Sequence, residues 1–173
     1  MGLRKGHCYT RVKRAYVRHS KFRSKDYVKA IPNNKIVRYD MGDTTKKYKK
    51  LITLVAAKPI QLRHNSIESA RQVVNRQLHI NLGLSYFFKI HIFPHHVLRE
   101  NKVLTGAGAD RMQTGMQKAF GKAIGTAAQV KKGKRIFSIY VNNEDLSVAR
   151  DAISRACPRL AGKFIIKEQD IKV

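Results

Sequence analysis

Acidic residues are scarce in this 173-residue chain: 11 Asp and Glu stand against 36 Lys and Arg, a formal charge of +25. A folded body of that charge repels itself until a polyanion neutralises it, so the partner class narrows to nucleic acid or an anionic membrane surface. Long apolar runs are missing too. The longest, Leu51 to Ala57, is far below the roughly 18 residues that cross a bilayer. No apolar segment follows the basic N-terminus as it would in a secretory leader. Both absences weigh against a membrane role. Cysteine is reduced to Cys8 and Cys157, at opposite ends, which leaves no disulfide framework and no Cys-x-x-Cys zinc site and points to a reducing, cytoplasmic setting. Neither an internal repeat nor a Pro/Ser-rich linker divides the chain. Apolar residues at 43 % exclude a disordered polymer, and residues 1–173 read as one domain able to bury a core.

Catalytic constellations are also lacking. Among the acids, only Glu144 and Asp145 are adjacent, and the start of a helix accounts for them. A two-metal nuclease needs a carboxylate cluster that the sequence does not offer. Gly106-Ala107-Gly108 lacks the third glycine of a dinucleotide fingerprint, and Gly121-Lys122 is followed by Ala123 rather than Ser or Thr. His91 and His95 are four apart, but Pro94 intervenes. His95 and His96, as strand neighbours, point to opposite sides. The expectation is no enzyme, no cofactor, no metal and no small-molecule substrate.

What is present is positive charge, unevenly spread. Residues 1–50 hold 16 Lys and Arg against 3 acids. Arg4, Lys5, Arg11, Lys13, Arg14, Arg18, Lys21, Arg23 and Lys25 fall in the first 25 residues with no acid among them. His7, Tyr9, Tyr16, His19 and Phe22 are interleaved. Neither the helical nor the strand period recurs there. The stretch 1–33 therefore reads as a basic extended arm that orders against phosphates, with planar side chains able to stack on bases.

Further along, Lys35 to Asp40 reads as a strand closed by a turn at Met41-Gly42-Asp43, and Leu51 to Ala57 as a second strand. Asn65 and Glu68 have the spacing of a capping box. The helix they open carries Ile67, Ala70, Val74 and Leu78 on one face and ends at Gly83, with Arg71 and Arg76 flanking the stripe. Tyr86 to Phe93 is a strong strand, and aromatics on both of its faces predict burial on both. Phe137 to Val141 is another strand. A second helix is expected from about Asn143, with Leu146, Ala149, Ile153 and Ala156 facing inward and Pro158 ending it. Phe164 to Ile166 gives a last strand. The fold class is α+β, with two helices packed on a mainly antiparallel sheet.

Asn101 to Lys118 fits no core. It is long and carries three glycines, and loops of that length inside a compact domain are usually functional. Gly106 and Gly108 permit close backbone approach, while Thr105, Arg111, Gln113, Thr114 and Gln117 supply contacts that need not be base-specific.

The stretches Pro94 to Lys102, Gly106 to Arg111, Gln113 to Met116 and Ala119 to Lys122 form a nearly continuous signature. It resembles that of the universal large-subunit ribosomal protein family called L-sixteen in bacteria and L-ten-e in archaea. Gln61 to Asn65 with Glu68 to Arg71, Lys35 to Val37, and Asp40 to Gly42 are similar to further parts of the family pattern. The likeness runs from about Pro32 to Ala156 and touches Arg4, Cys8 and Tyr9.

The resemblance implies a hammerhead-type α/β sandwich, a structural constituent of the large subunit and no enzymatic activity. It implies binding to large-subunit rRNA near the A-site side of the central protuberance, beside neighbouring ribosomal proteins. Beyond the arm, the implied rRNA contacts are Arg63, His64, Arg71, Arg76, His95, His96 and Lys122. The loop 101–118 would point toward the peptidyl-transferase centre and the acceptor ends of A- and P-site tRNA. Its implied contacts are Arg99, Asn101, Lys102, Thr105, Gly106, Gly108, Arg111, Gln113 and Lys118. A role in tRNA positioning and late subunit assembly is expected with it.

The chain departs from the family pattern at Lys5-Gly6, Ala30-Ile31, Ala123 and Gln129, where the family usually has Arg-Pro, Gly-Val, proline and arginine. It ends at Val173 without the eukaryotic extension, so an archaeal-type member is expected. Charge alone fits a second reading, a free-standing chromatin-type DNA- or RNA-binding protein. The second helix, however, exposes Ser147, Arg150, Asp151 and Ser154, a poor set for reading a groove.

Overall fold

The computed structural model describes residues 4–13, 15–17, 21–22, 24, 28, 30–104, 106–112 and 121–171. Among them lie eight strands in two sheets. β1 (Asp40–Gly42), β2 (Lys50–Ala56), β4 (Phe87–Ile90), β7 (Arg135–Val141) and β8 (Phe164–Asp170) form a five-stranded sheet in the order β1-β4-β7-β2-β8. β3 (Ile60–Arg63), β5 (His96–Glu100) and β6 (Lys122–Val130) form a second sheet in the order β3-β6-β5. Every neighbouring pair is antiparallel. The α+β class holds, with one addition: the second sheet was not foreseen as a unit.

Helix α1 (His64–Leu82) buries Ile67, Ala70, Val74 and Leu78, the face that the 3.6-residue period marks out. The capping box does not form. The helix starts two residues early, with Arg63 rather than Asn65 at the cap position, and the Asn65 side chain accepts instead from the Ser66 amide at 2.9 Å. Glu68 turns sideways to Arg71, 2.6 Å from Nη2. An ion pair between half-buried side chains wins over a cap at a helix end that continues directly from a strand. Gly83 ends α1 at φ 59°, its amide bonding the His79 carbonyl.

Two other helices follow: α2 (Ala109–Met112), a single turn within the long loop, and α3 (Leu146–Ala156). α3 starts after Asn143, with Asp145 at its cap, and buries Ala149, Ala152, Ile153 and Ala156. It packs on α1 and reaches β2 and β7, while α1 also meets β3 and β6. One continuous core therefore joins the helices to both sheets, with Ile52, Leu54, Leu62, Phe88, Phe137 and Ile139 inside it. Each such side chain stabilises the fold by ~1.5–3 kcal/mol when fully buried.

Two further expectations change. The first strand lies at Asp40–Gly42 rather than 35–40, because Met41 and Gly42 pair with Phe88 and Phe87 where a turn was expected. In the segment 86–93, Phe88, Ile90 and Ile92 are buried, but Phe87 is half-exposed and Phe93 is 61 % exposed. Only one face meets the helices. On the other, Phe87 packs against Tyr140 at 5.2 Å between ring centroids.

Candidate nucleic-acid interface

The three-stranded sheet has one face in the core and one turned away from it. Antiparallel pairing puts Arg63, Ala127 and His96 side by side on the outer face, with Gln61 and Gln129 paired two residues along. The arm lies across this face. The Gln61 amide, on the outer edge of β3, bonds the Thr10 carbonyl at 3.2 Å, and its side chain donates to the Tyr9 carbonyl at 2.8 Å. On the central strand, Gln129 donates to the Lys13 carbonyl at 2.8 Å. On the far edge, the Val97 amide bonds the Tyr16 carbonyl at 3.1 Å, and the Tyr16 amide donates to His96 Nδ1 at 2.7 Å. The arm thus caps both edge strands and is held at the middle. On each edge this satisfies one backbone amide that an open sheet leaves unpaired. Ala127, on the outer face, is fully buried.

Cation–aromatic contacts reinforce the clasp. The Arg63 guanidinium lies 4.9 Å from the Tyr9 ring centroid and donates to the Arg4 carbonyl, and Arg99 lies 4.1 Å from the Tyr16 ring. Arg4 also pairs with Glu100. Glu100 is the only acid on β3, β5 and β6, so the other charged side chains of these strands, Arg63, Arg99 and Lys122, are all basic. Between arm and sheet opens a cleft of about 770 Å³ lined by Arg11, Lys13, His96 and Arg99, among others.

Two histidines here are held toward the neutral form. Burial lowers the His96 pKa, and the neighbouring His95 and Arg99 lower it further. Burial also lowers that of His64, with Lys35 and Arg63 adding to the effect. Neutral imidazoles suit their bonding. His96 Nδ1 accepts from the Tyr16 amide, and His64 Nδ1 accepts from the Lys35 amide at 3.3 Å and lies 3.2 Å from the Thr126 hydroxyl.

The structure gathers Arg4, Arg11, Lys13, Arg63, His96 and Arg99 on this face and leaves Lys5, Lys21 and Lys122 exposed. Arg71 and Arg76 sit apart on α1. Arg71 is tied to Glu68 and reaches Met41 Sδ at 3.2 Å, whereas Arg76 is exposed. His95 is exposed, with Nδ1 3.2 Å from the Phe93 carbonyl. In the long loop, Asn101 is half-buried, and Lys102, Gly106, Gly108 and Arg111 are exposed. Gly106 and Gly108 take φ of 140° and 74°, conformations that favour glycine. Arg14, Arg18, Arg23, Lys25, Thr105, Gln113, Thr114, Gln117 and Lys118 lie outside the described residues. Gln61 and Gln129 were not foreseen as arm contacts. Their only signal is a polar residue interrupting each of two mostly apolar segments.

No helix among the described residues is long and apolar enough to cross a membrane, and none of their His, Cys, Asp and Glu side chains form a group of three able to hold a metal. An α+β domain with its basic arm strapped over a basic sheet face has the build of a polyanion-binding protein. Comparison with known proteins is specific. The pattern described as "Ribosomal protein L16p/L10e" matches residues 13–167, and the chain belongs to that family. The match extends well to either side of the Pro32–Ala156 stretch read from the residues.

The chain is similar to archaeal proteins named "Large ribosomal subunit protein uL16". One from Methanococcus maripaludis is 42 % identical over 176 residues, covering 99 % of this chain and 98 % of the relative. Another from Methanoculleus marisnigri is 44 % identical, covering 91 % and 89 %. A third from Staphylothermus marinus is 40 % identical, covering 92 % and 90 %. The family is one of ribosomal proteins, not enzymes.

Proposed function

We propose that this large-subunit ribosomal protein grips rRNA with its arm-covered sheet face and extends residues 101–118 toward the peptidyl-transferase centre and the acceptor ends of tRNA. In this reading it supports tRNA positioning and late subunit assembly near the A-site side of the central protuberance, beside other large-subunit proteins. The observation that carries the rRNA part is the clasp. It fixes Arg11 and Lys13 beside His96 and Arg99 around one cleft and ties Arg4 to Glu100, the single acid on the three strands beneath. Preorganised cations contact phosphates without reading sequence, so rRNA shape and 2′-hydroxyls set specificity. The loop, with little net charge and glycines at positive φ, suits close approach to RNA without a tight grip.

A salt titration on large-subunit rRNA fragments tests the grip. Neutralising about eight phosphates gives a log–log slope of roughly −6 to −7. Removing residues 1–25 is expected to weaken binding and flatten the slope. A slope near zero for the whole chain contradicts the proposal, and equal affinity for duplex DNA and rRNA favours a chromatin-type protein instead.

A further inference from the structure

A second basic cleft, of about 450 Å³, opens beside the exposed Phe93 and is lined by His91, His95, Lys131 and Lys134 as well as that ring. Among the described residues, none of the arm or of the long loop lines it. Its lysines sit on the turn joining β6 to β7, Lys131-Lys132-Gly133-Lys134. That turn is held firmly. The Gly133 amide bonds the Ala56 carbonyl at 2.9 Å, the Ala56 amide bonds the Lys134 carbonyl at 3.1 Å, and the Lys134 amide bonds the Lys131 carbonyl at 3.2 Å. Among the described residues no carboxylate pairs with Lys131 or Lys134.

Phe93 is 61 % exposed, whereas Phe88 and Phe137 are fully buried. The Tyr39 ring backs it at 6.0 Å, inclined by 29°. At the cleft's inner end, His91 Nε2 lies 2.7 Å from the Ser138 hydroxyl. Burial and the neighbouring Lys89, Arg135 and Lys134 hold its imidazole toward the neutral form.

An exposed ring beside two ammonium groups that no described carboxylate pairs matches a single nucleotide, which presents a flat base and an anionic phosphate. A base inside a helix has both faces stacked and cannot use the ring, whereas a bulged or unpaired base can. We infer that this cleft takes one unstacked RNA nucleotide, its base on Phe93 and its phosphate on Lys131 and Lys134. The inference rests on the rRNA reading above and adds to it a site for a bulged base.

The test compares two RNA hairpins that differ only by one unpaired adenosine in the stem, binding the full chain at fixed salt. The bulged hairpin is expected to bind about tenfold tighter, the range that base–aromatic stacking produces. Phe93→Ala and Phe93→Leu are expected to abolish the preference while leaving affinity for the paired hairpin unchanged. Phe93→Trp is expected to keep it, and Lys131→Ala with Lys134→Ala to weaken binding to both hairpins and reduce the salt slope by about one to two. Since Phe93 lies on the surface, its variants are expected to melt close to the parent chain, and the Leu variant retains the apolar bulk if Ala does not fold. Equal binding of the two hairpins by the parent chain, or a preference that survives Phe93→Leu, overturns the base site and leaves the rRNA grip standing. A parent chain that binds neither hairpin overturns both.

Discussion

Gln129 donates through one amide nitrogen to the Lys13 carbonyl, 2.8 Å away, and to Gln61 Oε1, 3.0 Å away. Residues 116 positions apart are thereby joined at the centre of the outer sheet face. Gln61 passes the connection on to the Tyr9 carbonyl, so two glutamines on adjacent strands hold two points of the arm. The Gln129 amide supplies a neutral donor under a strap already crowded with positive charge.

Gln129→Ala removes both of its bonds. A hydrogen bond of this kind contributes about 1 kcal/mol, equivalent to roughly a fivefold change in the population of an opened arm. Limited trypsin digestion is expected to release the arm several-fold faster while the body stays intact. An unchanged rate of arm cleavage shows that the clasp is held elsewhere.

Stability is expected to fall as pH drops below neutrality. His64, His91 and His96 all have pKa values below the ordinary histidine value of 6.5, with burial the largest cause in each. The unfolded chain therefore binds more protons than the folded one once pH falls below about 6.5, and folding weakens from there down through the depressed folded values. Protonating His96 also removes the acceptor for the Tyr16 amide. Melting scans between pH 7.5 and 5 are expected to show a decline that His96→Gln reduces. A melting temperature flat over that interval contradicts the assignment.

Gly121→Ala is expected to destabilise the junction between the long loop and β6. Gly121 has φ +77°, and an added Cβ would sit 2.7 Å from the Glu100 carbonyl carbon and 2.9 Å from the Asn101 amide nitrogen. The conformational cost alone is about 1 kcal/mol, or roughly 2–4 °C in melting temperature for a domain of this size. The backbone clash adds to it. A variant that melts with the parent chain shows that the two segments separate freely.

Deleting residues 106–112 is expected to leave the melting temperature nearly unchanged, since none of these residues is buried. Subunits carrying the deletion are expected to lose tRNA placement or peptidyl-transfer activity. A large fall in the isolated protein's stability places part of the core in this loop, and fully active subunits remove its functional role.

Much of the body was legible because periodicity is a local signal. Ile67, Ala70, Val74 and Leu78 mark the buried face of α1 without help from the rest of the chain. The second sheet was less visible. In β6, Ala128 and Val130 face the core while Ala127, on the outer face, is fully buried as well, so small residues buried on both faces erase the polar–apolar alternation. Of the candidate site, the basic residues stood out through charge, and the resemblance pointed to His96 and Arg99. The clasp did not, because Gln61, Gln129 and Tyr16 acquire their roles only from neighbours more than 50 positions away.

The central claim is that this chain is an rRNA-bound part of the large subunit held by its arm-covered face. Sedimentation through a high-salt sucrose gradient tests it most directly. The full chain is expected to migrate with large subunits, and a variant carrying Arg4→Ala, Arg11→Ala and Lys13→Ala to be stripped into the light fractions at the same salt. A full chain that stays at the top of the gradient, or a variant retained as firmly as the parent, contradicts the account.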